Sequence, residues 1–124
     1  MGRRKKHQIP FDGEGGTIVS ARRIYSSENY LTLSAQAKAL MVLLHSQWRH
    51  LEYVDYGIRE AAEKIPCDRR TAMKAFKQLQ ERGFITCTEL AFFSSRTQSK
   101  SRTWRLEWLP FNDRAPANTW ESWT

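Results

Sequence analysis

Two amphipathic helices joined by a tight turn constrain the fold of this 124-residue chain more than any other feature. The first is predicted over Ile58–Ile65, where apolar residues recur at helical spacing, and Pro66 ends it because proline cannot continue a helix. The second is predicted over Arg69–Arg82, with Asp68 as its N-cap and Gly83 as the residue that ends it. Its predicted apolar face comprises Ala72, Met73, Phe76 and Leu79.

A longer helix precedes this pair, and a β-hairpin follows it. Ser34 is a predicted N-cap, and apolar residues recur at helical spacing from Leu33 to Trp48, which predicts a helix to about Arg49. The outer face of that helix is predicted to carry Gln36, Lys38, His45 and Gln47. The run 84–93 and the alternating residues 102–109 predict two strands around the polar loop 94–101, and a short strand within 50–57 is expected to pair with them.

The predicted fold class is α+β, with one domain over residues 17–109. Residues 1–16 are expected to be a flexible basic arm, because they are charged and glycine-rich and have little to bury. The first part of the domain, Thr17–Tyr25, fits either a short strand or an extended lead-in. Residues 110–124 are a predicted C-terminal tail, and two packing sites stay open for its Trp120 and Trp123, namely the body of the protein or a second subunit.

The net charge of +7 is concentrated in three segments, which are the N-terminal arm, the helix pair and the predicted hairpin loop. A basic excess points to an acidic partner, first nucleic acid and then an anionic membrane surface. A membrane span is not expected, since the longest apolar run is far shorter than the roughly 20 residues that a span needs. No apolar stretch follows the basic start, so a signal peptide is not expected, and the predicted location is cytoplasmic.

The sequence offers no constellation of residues for catalysis or for metal binding. Cys67 and Cys87 are two cysteines without zinc-ligand spacing, and we interpret them as packing groups. His45 and His50 have no ligand-spaced partners and are interpreted as surface residues. No nucleophile and base occur together, and no phosphate-binding loop is present. We therefore expect no enzyme activity, no cofactor, no metal and no small-molecule ligand. The core is expected to include Trp48, Trp104 and Trp108.

A helix pair whose second helix is basic on its outer face is typical of a helix-turn-helix unit. A hairpin with a basic tip directly after that unit predicts a winged helix-turn-helix, with three helices and a C-terminal β-hairpin wing. The major groove of DNA is wide enough for one helix, and a hairpin beside it can reach the flanking backbone or the minor groove. The arrangement of the charge therefore favours double-stranded DNA over a membrane as the partner.

Three sequence runs resemble bacterial winged helix-turn-helix proteins: IREAAEKI at 58–65, DRRTA at 68–72 and LQERGFI at 79–85. The runs LSAQAK at 33–38 and RTWRL at 102–106 are similar to parts of small DNA-binding proteins of bacteria and their mobile elements, some of which resemble the N-terminal domain of plasmid replication initiators. The resemblance covers about residues 33–109. It implies a recognition helix at 69–82 and a wing at 94–101.

The predicted DNA-binding residues fall into three groups. The recognition helix supplies Arg69, Arg70, Thr71, Lys74, Lys77 and Gln78. The wing supplies Arg96, Thr97, Lys100 and Arg102, and the arm supplies Arg3, Arg4, Lys5 and Lys6. Arginine is suited to bidentate recognition of guanine, so Arg69 or Arg70 is the first candidate for base recognition, whereas the lysines are expected on phosphates.

The leading functional prediction is a transcriptional regulator that binds double-stranded DNA in a sequence-specific manner. A homodimer is one arrangement in which it could bind. A plasmid or phage replication or maintenance factor that binds repeats at an origin is the first alternative. A winged-helix adaptor that meets an acidic protein is the second, and RNA binding is a weaker option because no recognisable RNA motif is present.

Overall fold

The structure is a computed structural model that describes residues 15–89 and 102–123, with Glu89 described by its backbone alone. The α+β fold class is confirmed, since helices and a small antiparallel sheet follow one another along the chain. The helices are α1 (Arg22–Tyr25), α2 (Glu28–Leu31), α3 (Ala35–Ser46), α4 (Ile58–Lys64) and α5 (Arg69–Glu81). The strands are β1 (Val54–Asp55), β2 (Ile85–Glu89) and β3 (Thr103–Leu106), and a 3₁₀ helix spans Thr119–Ser122.

The predicted starts of α3 and α5 are confirmed by their caps. The Ser34 hydroxyl accepts a hydrogen bond from the Ala37 N–H at 3.1 Å, and the Asp68 carboxylate accepts one from the Thr71 N–H at 2.8 Å. Each bond satisfies one of the backbone donors that the first turn of a helix leaves unpaired. Helix α3 ends at Ser46, three residues before the predicted end at Arg49.

The three strands form one antiparallel sheet in the order β1-β3-β2. Ile85 lies opposite Leu106 in the hairpin, and Val54 lies opposite Trp104 on the other side of β3. The predicted pairing of a short strand with the hairpin is therefore confirmed. The predicted loop 94–101 and the far end of the predicted strand 84–93 lie outside the described residues.

The core lies between the sheet and the helices α3, α4 and α5. Phe76 of α5 stacks on Trp104 of β3 with ring centroids 5.1 Å apart, and the Trp104 indole N–H donates to the Tyr56 carbonyl. Trp104 and Trp108 are buried as predicted, whereas Trp48 is half-buried and packs at the edge of the core. Cys67 and Cys87 also pack against the core, as expected.

The interpretation of His45 as a surface residue is wrong. His45 is buried on α3, and its Nδ1 accepts a hydrogen bond from the Trp108 indole N–H at 3.4 Å. Burial lowers the pKa of His45, and a hydrogen bond to the backbone at Val19 opposes that shift. The residue type does not decide between the two environments, because the polar ring of histidine suits a surface and its ring nitrogen can also accept from a buried indole.

The prediction that Met73 faces the core is also wrong. Met73 is 52% exposed, and Ala75 is buried instead, together with Ala72, Phe76 and Leu79. A core face that includes Met73 and one that includes Ala75 both fit a spacing of three and four residues. The small side chain of Ala75 does not favour either. Methionine therefore lies on the outside of α5.

The segment before α3 is more ordered than predicted. Residues 17–21 have no regular structure, so no strand forms there. Residues 22–25, predicted as strand or extended lead-in, form α1 instead, and α2 follows. Each of these helices has only four residues, and Ser27 caps α2 by accepting from the Tyr30 N–H. Tyr25 packs edge-on against Tyr30, which ties α1 to α2.

The C-terminal segment Thr119–Trp123, which we call the C-terminal clasp, packs on the body. Trp120 is buried and stacks on Phe84 with ring centroids 5.6 Å apart. The Asn29 amide donates to the Trp120 carbonyl, and Arg23 forms a salt bridge with Glu121. Trp120 therefore packs on the body of its own chain, which is one of the two packing sites predicted for it.

Candidate nucleic-acid interface

Helix α5 has one face against the core and the opposite face in solvent. Its buried residues pack toward α3, α4 and β2. Four cations are exposed on the outer side, which we call the cationic face: Arg69, Arg70, Lys74 and Lys77. The structure thus groups four of the six residues predicted for the recognition helix on one accessible surface.

None of the four cations on this face forms a salt bridge within residues 15–89 and 102–123. The salt bridges in that part of the chain are Arg23–Glu121, Glu60–Lys64 and Arg105–Glu107, and all of them lie elsewhere. A cluster of four exposed cations without salt bridges concentrates positive potential on one side of the helix. The cationic face can therefore attract a polyanion.

Asp68 is the acidic group closest in sequence to this face, and it acts as a cap. Hydrogen bonds from Thr71 lower the pKa of the Asp68 carboxyl, and attraction to Arg70 and Lys74 lowers it further. The carboxylate therefore stays ionised at neutral pH and stabilises the N-terminal end of α5, where the helix dipole favours negative charge.

Thr71 and Gln78 lie at the border of the cationic face and are half-buried. The Gln78 side-chain oxygen accepts a hydrogen bond from the Ser34 N–H at 2.9 Å, so Gln78 links α5 to the start of α3. Its amide nitrogen makes no bond within the described residues and keeps its donors. Contact between these two residues and DNA stays a prediction, and Gln78 has a structural role beside it.

The described part of the predicted wing contributes one site residue. The Arg102 side chain is exposed, and the Arg102 carbonyl accepts a hydrogen bond from the Tyr56 N–H at 3.3 Å, which fixes the backbone beside the sheet. The other predicted wing residues and the predicted arm residues lie outside the described residues. They are Arg96, Thr97, Lys100, Arg3, Arg4, Lys5 and Lys6.

Arg82, directly after α5, is a cation with a different environment. Its guanidinium donates to the Asn29 carbonyl at 2.8 Å and to the Thr32 hydroxyl at 2.6 Å, and it lies 4.2 Å above the Trp123 ring. The spacing of charges in the sequence does not distinguish Arg82 from Lys77. The distinction comes from α2 and the C-terminal clasp, neither of which has a sequence pattern strong enough to predict it.

The residues that the structure describes contain no other arrangement that suggests a ligand. Among residues 15–89 and 102–123, no three His, Cys, Asp or Glu side chains are grouped to hold a metal ion. A crevice beside Trp48, Tyr53 and Phe111 has no space for a water molecule. No helix in these ranges is both long enough and apolar enough to cross a membrane.

Comparisons of this chain with protein-family models, with curated proteins and with solved structures find no match.

Proposed function

We propose that this chain binds double-stranded DNA in a sequence-specific manner, as a winged helix-turn-helix protein that regulates transcription. The observation that carries the proposal is the cationic face of α5, where four exposed cations form no salt bridge within the described residues. Helix α4 and the turn before Asp68 would be the supporting half of the helix-turn-helix, and β2 and β3 would be the stem of the wing.

In this proposal α5 is the helix that enters the major groove. Arg69 and Arg70 lie in its first turn, where side chains of a recognition helix reach base edges, and a guanidinium can bond guanine at two atoms. Lys74 and Lys77 lie one and two turns further along and would contact phosphates on the groove edge. Thr71 would add a hydroxyl contact at the border.

In this proposal the hairpin would add a second contact. Arg102 is exposed at the start of β3, on the side of the hairpin that leads to the predicted wing loop. Its side chain would reach the backbone beside the groove that holds α5, and Arg96, Thr97 and Lys100 would extend that contact. Arg3, Arg4, Lys5 and Lys6 would follow the phosphates or enter the minor groove.

Selection of bound sequences from a random duplex library tests the proposal. We expect one enriched motif, and we expect Arg70→Ala to lower affinity for it by about tenfold or more and to relax the preference at one or two base pairs. Arg114→Ala is the matched control, because Arg114 is an exposed arginine remote in sequence from α5 and forms no salt bridge within the described residues.

Equal binding to all duplexes would contradict a regulator, and no binding at low salt would favour an adaptor that meets an acidic protein. A motif repeated at an origin, rather than placed at promoters, would identify a replication factor. A mass measurement of the complex gives the number of subunits on the site, which distinguishes a monomer from a homodimer.

A further inference from the structure

Met73 is a large apolar side chain on the solvent side of a helix whose other apolar residues are all buried. It is 52% exposed, whereas the other apolar residues of α5, all four of which lie on the core face, have almost no exposed surface. Single exposed apolar residues are common on protein surfaces, so exposure alone does not assign a role to Met73. Its neighbours on the helix do.

Met73 lies among the residues of the cationic face. It is four residues after Arg69 and four before Lys77, so it lies between them on the helix surface, and Arg70 is three residues away. The core of a protein–protein interface is enriched in methionine and arginine but depleted of lysine. Lys77, one turn after Met73, therefore makes an apolar protein partner a poorer match for this face. An apolar group that is itself carried by a polyanion is a better match.

The major groove of DNA presents one such group, which is the C5 methyl of thymine. We propose that Met73 packs against the methyl group of a thymine and so selects thymine at one position of the site. Methionine suits this contact because its unbranched thioether adapts to the position of the methyl group. The inference rests on the proposed function, since it requires α5 to lie in the major groove.

Replacement of thymine by deoxyuridine tests this contact directly. Deoxyuridine keeps every hydrogen-bonding group of thymine and lacks only the methyl group. Each thymine of the selected motif is replaced in turn, and the affinity is measured by fluorescence anisotropy. At one position we expect about three- to fivefold weaker binding by the unchanged protein, which is the effect of losing one buried methyl group.

Met73→Ala supplies the second half of the experiment. The variant should bind the thymine and the deoxyuridine duplexes equally at that position, because the side chain that detects the methyl group is gone. Val42→Ala is the matched control, since Val42 is 53% exposed on α3 and should leave the preference for thymine intact. Thermal unfolding of all three proteins shows whether each variant is folded, and exposed positions should leave the unfolding temperature nearly unchanged.

The outcomes separate this inference from the proposed function. Absence of any enriched motif overturns both. A motif that contains no thymine, or no deoxyuridine position that weakens binding, overturns the role of Met73 and leaves DNA binding in place. A penalty for deoxyuridine that is unchanged in Met73→Ala shows that another residue contacts the methyl group and also overturns it. Loss of the penalty in Met73→Ala, with the penalty retained in Val42→Ala, supports it.

Discussion

Positive side chains occur both along the outer side of α5 and directly after its last turn, but their environments differ. Arg69, Arg70, Lys74 and Lys77 are exposed and form no salt bridge in the described residues. Arg82, by contrast, bonds two groups around α2 and lies over Trp123. A count of basic residues treats the two ends alike. Their contacts show that one end is available to a partner and that the other holds the protein together.

This contrast gives α5 a fixed end and an open end. The C-terminal clasp packs around Gly83 and Phe84, and the Thr119 hydroxyl donates to the Gly83 carbonyl at 2.7 Å. The open end is held by the core on one side and by the Asp68 cap. Substitutions at the fixed end should therefore change stability, and substitutions at the open end should change binding.

Trp120→Ala at the fixed end is expected to have the largest effect. Trp120 is buried against Phe84, and truncation of a buried tryptophan lowers the free energy of unfolding by about 3–5 kcal/mol. Urea denaturation measures the change. Trp123→Ala is the control, since Trp123 is half-buried and contacts Arg82, and its loss should cost about 1 kcal/mol. Equal effects of the two substitutions would show that the clasp does not pack through Trp120.

Gly83→Ala is expected to rank second. Gly83 has a φ of +81°, which costs a residue with a side chain about 1–2 kcal/mol, and an added Cβ would lie 2.8 Å from the Thr119 carbonyl oxygen. Gly57→Ala is the matched control, because its φ is −107° and no atom lies within 4 Å of an added Cβ. Its free energy of unfolding should stay within about 1 kcal/mol of the parent. Comparable losses in both variants would contradict the close approach of the clasp.

Lys77→Ala and Arg82→Ala compare the two ends directly. The first should leave stability unchanged and reduce the slope of log affinity against log salt by about one phosphate contact. The second should lower the free energy of unfolding by about 1–2 kcal/mol, through loss of its hydrogen bonds, and leave the slope unchanged. Salt titrations of DNA binding and denaturant unfolding give both quantities, and a reversed pattern would remove the distinction between the ends.

Asp68→Asn, at the open end, is expected to have the smallest effect, which is a change in how stability depends on pH. The folded state lowers the pKa of Asp68, so the stabilisation from its charge is present above the ordinary pKa of 3.8 and is lost as the pH falls through the lowered value. Asparagine keeps the cap without titrating. The stability difference between the two proteins should therefore shrink from pH 6 to pH 3.

Ser34→Ala is the control for this measurement, because the Ser34 cap does not titrate and its loss should lower stability by a similar amount at each pH. A difference between the parent protein and Asp68→Asn that stays constant with pH would show that the Asp68 charge does not stabilise α5.

The longer helices and the hairpin could be predicted from the sequence. Apolar periodicity and the caps at Ser34 and Asp68 indicate α3 and α5, and alternation indicates β3 beside Trp104. The same signals do not predict α1 and α2, since a four-residue helix is stabilised by its surroundings and not by its own sequence. Trp120 lies in a segment without clear apolar periodicity, so the sequence does not predict its packing partner.

The site was predictable in part for a related reason. Charge spacing indicates the cationic face because long exposed cations follow directly from the helical period. It does not indicate that Gln78 bonds the Ser34 N–H across 44 residues of sequence, or that Met73 lies outside and Ala75 inside. Those assignments depend on how α5 is rotated about its axis against α3. A local sequence pattern does not specify that rotation.

The hydrogen bond from Asn29 to the Trp120 carbonyl joins residues 91 positions apart, and this has a consequence for synthesis on the ribosome. The early helices and α5 emerge long before the clasp does, and the closing contacts cannot form until Trp120 has left the exit tunnel. Loop closure over such a separation also slows folding of a chain in free solution. During translation, Phe84 therefore stays without its stacking partner until the clasp has been synthesised.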